Sequence, residues 1–363
     1  MVDRSLIETV QRNCDISDAR DNGIYSICTL VLKLRNRYKW EKGIEPWQEP
    51  EPGELLDWIE TRENYWKTII EEDYAFLTAG ETRADHWDIE TINTVLADSG
   101  LIYGAGYGRS MKAIFFLAER LQQKSVDGCP VLLLGREWAT ELARPFAMLQ
   151  GEQIIIRRAP LRYFFWDHIM DLRASCRSPI MHALQQYGVA DNGDPVPERI
   201  AAGLERIVDA EIPIFIRHEI GELRESTLDS ATLKTVISRF PHSAIEFVGR
   251  TLKDILADTH PDGMIPFIIT EKREASLAFY VGFLDGVRKL LFPEITPAFA
   301  RFLVKRDWQV IEKARRACRN RLQHLAERTR TIVARIDQVP LTETEKLLHS
   351  EILLPLGLDL PEK

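Results

Sequence analysis

The run PVLLLG, residues 130–135, decides the fold class of this chain. Four aliphatic residues stand between a proline and a glycine, and Asp127-Gly128 supplies turn chemistry just upstream, so the run predicts a strand. QIIIRR, residues 153–158, is a second such run, ending in charge. Together they predict a small β-containing segment over residues 101–158 in a chain that is otherwise mostly α.

Upstream, residues 26–38 place Ile27, Leu30, Val31 and Leu34 at helical spacing with Lys33, Arg35 and Arg37 between them, the pattern of a half-buried helix. The prolines and glycine of EPWQEPEPGE, residues 45–54, break that pattern. A second helix is predicted over 54–74, with Trp58, Trp66 and Ile69 among its inward residues. Trp40, Trp47, Trp58, Trp66 and Trp87 all fall in this first quarter and read as core. Downstream, helical stripes return over 195–208, 230–240, 243–256, 275–291 and 297–336, with breaks at Pro241, Pro261 and Pro293. The expected organisation is an N-terminal helical domain (1–99), a small α/β segment (100–158) and a C-terminal helical domain (159–363) with a long basic helix near 297–336.

Hydrophobic residues make up 45% of the 363 and charged residues 28%, so the chain can bury a core. The start, MVDRSLIETVQRNC, has no apolar run of the kind that marks a signal peptide, and no stretch is long and apolar enough for a membrane helix. A cytoplasmic protein without a membrane is therefore expected. Cys14, Cys28, Cys129, Cys176 and Cys318 are odd in number and scattered, which predicts reduced thiols rather than a disulfide frame or zinc ribbon.

GAGYGRSMK, residues 104–112, raises the question of a phosphate-binding loop. A dinucleotide fingerprint needs a strand, G-x-G-x-x-G and a helix opening at the pyrophosphate. Leu101 to Tyr103 offers a strand, residues 110–123 a helix, and Glu137 an acid for a ribose. Against this, Gly104, Gly106 and Gly108 alternate, so the third glycine falls early, and Lys112 is not followed by Ser or Thr as in a P-loop. Glycines at a turn needing positive φ explain the stretch at less cost. Nucleotide binding by Gly104, Gly106 and Gly108 stands second to that turn.

On a helix, a His and a carboxylate four residues apart share a face and can ligate one ion. Three such pairs occur, His86 with Glu90, His218 with Glu222 and His242 with Glu246, where chance supplies about one. RHEIGE, residues 217–222, follows directly on the apolar run IPIFI, so its ionisable groups enter from a core segment and need a partner or a function. The candidate metal ligands are His218, Glu222, His242 and Asp258, with Glu219, Asp254, His168 and His260 as further groups. Zinc, iron or manganese would suit imidazole and carboxylate. No HExxH, nucleophile elbow or Cys-His signature is present.

Residues 301–335 hold eleven Lys and Arg against three acids, in a chain whose net charge is −8. Such a face can meet a protein partner or an acidic region of its own chain, for example 45–73. Nucleic acid is the poorer fit, since the overall charge repels a polyanion.

At NCDISDAR (13–20), LKLRNRYKWEKG (32–43), RHEIGE, LKDILADT (252–259) and FPEI (292–295), the chain resembles an uncharacterised family of bacterial proteins. The resemblance implies a bacterial cytoplasmic protein and transfers no activity. The leading expectation is a binding or regulatory protein without chemistry of its own. A metal-dependent enzyme centred on His218 and Glu222 is the alternative.

Overall fold

The computed structural model describes residues 4–171, 174–191 and 195–358. The chain divides into two units, Met1–Asp167 and His168–Lys363. The first opens with α1 (Arg4–Asp21), α2 (Ile27–Lys42) and α3 (Pro52–Ile69), followed by a short hairpin, β1 (Leu77–Ala79) with β2 (Thr82–Ala84), and by α4 (Ile89–Leu96). A mixed sheet then forms from β3 (Leu101–Tyr107), β4 (Ala113–Val126), β5 (Cys129–Ala139), β6 (Ala147–Gln150) and β7 (Gln153–Arg157) in the order β3-β4-β5-β7-β6. The two aliphatic runs are therefore strands, and they lie side by side: β5 and β7 pair in parallel, Val131 opposite Ile154 and Leu134 opposite Arg157. The protein is mostly α with a β segment, as expected.

Alternation decides what each sheet face touches. Leu101, Tyr103, Phe115 and Leu117 pack with Leu6, Val10 and Cys14 of α1 and with Ile92 and Leu96 of α4. Ile102, Ile114, Phe116, Leu132 and Ile155 form the core of the other face. β4 and β5 join through Asp127 (φ 49°) and Gly128 (φ 86°), two left-handed residues that match the twist of a tight hairpin. β3 pairs with β4 only as far as Glu119, so beyond residue 120 β4 has a described neighbour on the β5 side alone.

The glycine stretch reads differently in three dimensions. Gly104 and Gly106 lie inside β3, and neither has a positive φ. They form neither a phosphate loop nor a turn, and residues 113–123 are strand rather than the helix a nucleotide fold would need. Gly104 faces Phe116 across the ladder, and a Cβ there would lie 2.0 Å from the ring. The turn falls later, at Ser110 (φ 56°) and Met111 (φ 59°).

Two expectations for the helices of this unit are revised. Ile27 and Val31 of α2 are exposed, because the helix buries the stripe of Leu34, Arg37 and Tyr38 instead. Of the five early tryptophans, Trp66 is buried; the others are half-buried, with Trp40 Nε1 donating to the Glu137 carbonyl and Trp58 Nε1 to Glu41.

Across the boundary runs α5 (Arg158–Met170), and the second unit follows as α6 (Ala174–Gln186), α7 (Pro197–Arg224), α8 (Ser230–Arg239), α9 (Ala244–Thr259), α10 (Met264–Thr270), α11 (Glu274–Phe283), α12 (Gly286–Leu291), α13 (Ile295–Lys305), α14 (Trp308–Val333) and α15 (Leu341–Leu348). Where one long basic helix was expected near 297–336 there are two, separated by Arg306 in the left-handed region and restarted at Asp307, whose side chain accepts from Gln309 N–H. The breaks at Pro241, Pro261 and Pro293 fall between helices. No described helix is long and apolar enough to cross a membrane. No disulfide joins any of the five cysteines among the described residues.

Candidate metal centre

α7 starts with Pro197 at its first turn, where a missing N–H costs nothing, and buries Ile200, Leu204, Ile207, Val208 and Ile212 along one stripe. It runs through Pro213 rather than ending there, so RHEIGE is helical and the His218 and Glu222 side chains share a face. α9 starts at Ser243, which caps Glu246 N–H. The two helices meet at Gly221, where a Cβ would lie 2.2 Å from the Ala257 carbonyl oxygen. That oxygen is equally close to the Cβ position of Gly263, at 2.1 Å. Only a residue without a side chain permits this approach, and it sets Asp258 beside His218.

His218, Glu219 and Glu222 each bring one ligating atom within 4.8 Å of the others. Ligands of one ion at 2.0–2.2 Å stand about 3–4.4 Å apart, so small side-chain movements close the set around a cation. His218 Nδ1 bonds to Asp258 Oδ1 at 2.6 Å, which leaves Nε2 as the ligating nitrogen. Asp258 Oδ2 accepts from the Tyr280 hydroxyl at 3.0 Å and from Arg288 at 2.9 Å. Arg288 also reaches Asp254 at 3.6 Å. Both oxygens of Asp258 are thus engaged, which fits an outer partner that would orient the imidazole better than it fits a direct ligand.

Proton affinities follow from this crowding. Burial opposes a charge on His218, but the Asp258 carboxylate outweighs it and pushes the imidazole up to about 10. Burial, with Glu222, Asp254 and Asp258 nearby, pushes Glu219 up to about 8 against the pull of His218. Glu222 is raised as well, first by burial. Asp258 stays below the usual carboxylate range despite its burial, held there by His218, Arg288 and Tyr280. A divalent cation binding here would have to displace the protons held by Glu219 and by the His218 imidazole, so its affinity would rise with pH.

The remaining candidates lie elsewhere. His242 precedes α9, whose 16 residues put it about 24 Å from Asp258 at the other end. Its spacing to Glu246 is real, but the Glu246 carboxylate accepts from the His242 backbone N–H at 2.9 Å and serves the helix start. His242 is therefore not part of the cluster. His86 sits before α4 among the rings of Tyr74, Trp87 and Phe115, while Glu90 is exposed. His260 accepts from Asp262 N–H in the turn after α9, and His168 packs on Phe283. Glu219, weighed in the sequence only as a secondary group, is the third member; its signal was its place between His218 and Glu222 on a helix entering from the core.

Charges on α14 find partners inside their own unit. Arg319 bonds Glu225 at 2.7 Å and Arg321 bonds Glu294 at 3.1 Å, while Arg315 pairs with Glu312 and donates to the Thr259 carbonyl.

Residues 5–157 match the N-terminal domain, and residues 162–351 the C-terminal domain, of a family of unknown function (DUF6866). The chain belongs to that family. No curated protein and no solved structure matches it.

Proposed function

We propose that the C-terminal unit is a divalent-metal centre, with His218, Glu219 and Glu222 as ligands and Asp258 orienting the histidine. The observation that carries this reading is the convergence of those three side chains on one turn of α7, with the imidazole fixed from behind at 2.6 Å. Three protein ligands leave coordination positions open, which is the arrangement of a metal that takes part in chemistry rather than one that only holds a fold together. One imidazole and two carboxylates favour zinc, iron or manganese. Cysteines that form no disulfide suit a reducing, cytoplasmic setting, and the sequence resemblance noted above would make it a bacterial one.

Elemental analysis of the protein purified without a histidine tag, beside a His218→Ala, Glu222→Ala variant, tests the reading. Stoichiometric metal in the parent and none in the folded variant is the expected result. No metal in either, after both aerobic and anaerobic purification, leaves a binding or regulatory protein without chemistry of its own, and the exposed part of the 301–335 face becomes the first surface to probe for a protein partner.

A further inference from the structure

The N-terminal unit buries a second set of charges, which the metal centre does not use. Asp15, Asp18, Arg37, Lys112, Glu137, Glu141, Arg144 and Arg157 are all buried around the loop 140–146 between β5 and β6. Every carboxylate has its cation. Asp15 meets Arg37 at 3.3 Å, Asp18 meets Lys112 at 2.9 Å, Glu137 meets Arg144 at 2.9 Å and Arg157 at 2.6 Å, and Glu141 meets Arg157 at 3.3 Å. Arg62, which also approaches Asp15, is matched by Glu41. Lys33 is the cation left over. Its Nζ donates to the carbonyl oxygens of Leu142 and Ala143, both at 3.2 Å, and meets no carboxylate among the described residues.

Three atoms of the same loop are buried without a hydrogen-bond partner: Nε and Nη1 of Arg144 and Oε2 of Glu141. Arg144 is 9% exposed, adopts a left-handed φ of 46° and lays its guanidinium over the Tyr163 ring. Its backbone N–H bonds to the other oxygen of Glu141 at 2.8 Å, so the orphaned donors and the orphaned acceptor belong to one short turn. Buried polar atoms are almost always paired, and a cluster of unpaired ones marks a missing partner.

We propose that this loop encloses inorganic phosphate, a small oxyanion that carries its own proton at neutral pH, which accepts from Arg144 and donates its hydroxyl to Glu141 Oε2. Guanidinium N–H groups suit phosphate oxygens, and Lys33, which reaches the same loop without a direct carboxylate contact, adds a nearby cation. The carboxylate sets the selectivity. A lone oxygen of Glu141 repels an anion with no hydrogen, such as sulfate, and accepts from phosphate, which keeps one at neutral pH. Water could pair the three atoms instead, and the protein would then not respond to phosphate.

The test is calorimetry and thermal melting of the full chain, freed of phosphate, with inorganic phosphate, glycerol phosphate and sulfate at matched ionic strength. Phosphate binding at least about tenfold tighter than sulfate is expected, with a raised melting temperature. Glu141→Gln should erase the preference, since an amide can donate to either anion, and Arg144→Gln should lose both. Glycerol phosphate, whose phosphate group is mainly a dianion without a hydroxyl hydrogen at neutral pH, should bind no better than sulfate, and binding as tight as that of inorganic phosphate would overturn the part given to Glu141. Equal binding of phosphate and sulfate, or no response to millimolar phosphate, overturns the proposal. Should either variant fail to fold by circular dichroism, the comparison of the two anions on the parent protein still decides.

Discussion

Gly104 shows how a single residue can mislead a sequence reading. Three alternate glycines suggest a loop, yet the reason for this one is the Phe116 ring opposite it, twelve positions away and visible only once the strands are in register. Gly104→Ala drives a methyl group into that ring inside a packed core. A loss of about 1–3 kcal/mol in urea unfolding is expected, and Phe116→Leu in the same chain should recover part of it. Additive losses in the double variant would show that the two positions do not interact. Residue spacing was a better guide at His218 and Glu222, because i to i+4 geometry is fixed by the helix itself. The part played by Asp258 was out of reach, since its pairing with His218 spans 40 positions and depends on how two helices cross.

Elements were legible where the local signal and the fold agree. The aliphatic runs of β5 and β7 read as strands and are strands. β4 did not, because AIFFLAERLQQK is rich in good helix formers, and pairing with β3 over residues 113–119 and with β5 from Leu117 onward overrides that preference. α7 was predicted to stop near residue 208, whereas packing carries it through Pro213 to Arg224. The crossing of α7 and α9 rests on Gly221, and a methyl group there must displace the Ala257 carbonyl. Gly221→Ala is therefore expected to lower the melting temperature and to weaken metal binding, since Asp258 moves away from His218 and the outer partner of a ligating histidine is typically worth about 10–100-fold in affinity. Unchanged affinity, measured by chelator competition on the folded variant, would remove the helix crossing from the account of the centre.

For the whole chain, the family match in two consecutive domains agrees with two compact units. Their responses to pH can be separated. His86 is the one histidine before residue 168, and burial lowers its pKa below the ordinary 6.5, against a small opposing effect of Asp85. A depressed histidine favours the neutral form in the folded state, so its contribution is complete above the unfolded value of 6.5 and is lost as pH falls from there through the lower folded value. Seven of the eight tryptophans also lie before residue 168, so their fluorescence reports on this unit. Its unfolding midpoint in urea should fall between pH 7.5 and 5.5, and His86→Phe should flatten the dependence. At lower pH, Glu137, which Arg157 and Arg144 hold below its usual range despite its burial, adds a further loss, and Asp15, raised by burial, opposes it.

The outer half of β4 has a consequence for crowded solutions. Beyond residue 120 its backbone offers donors and acceptors on the side away from β5, a template onto which a strand of another copy could add and start a fibril. The residues placed there, LQQKSV, answer that hazard with amides, a hydroxyl and a lysine. Edge-to-edge growth would stack Lys124 against the charges of the next copy, and this repulsion keeps an exposed arm from becoming an aggregation seed.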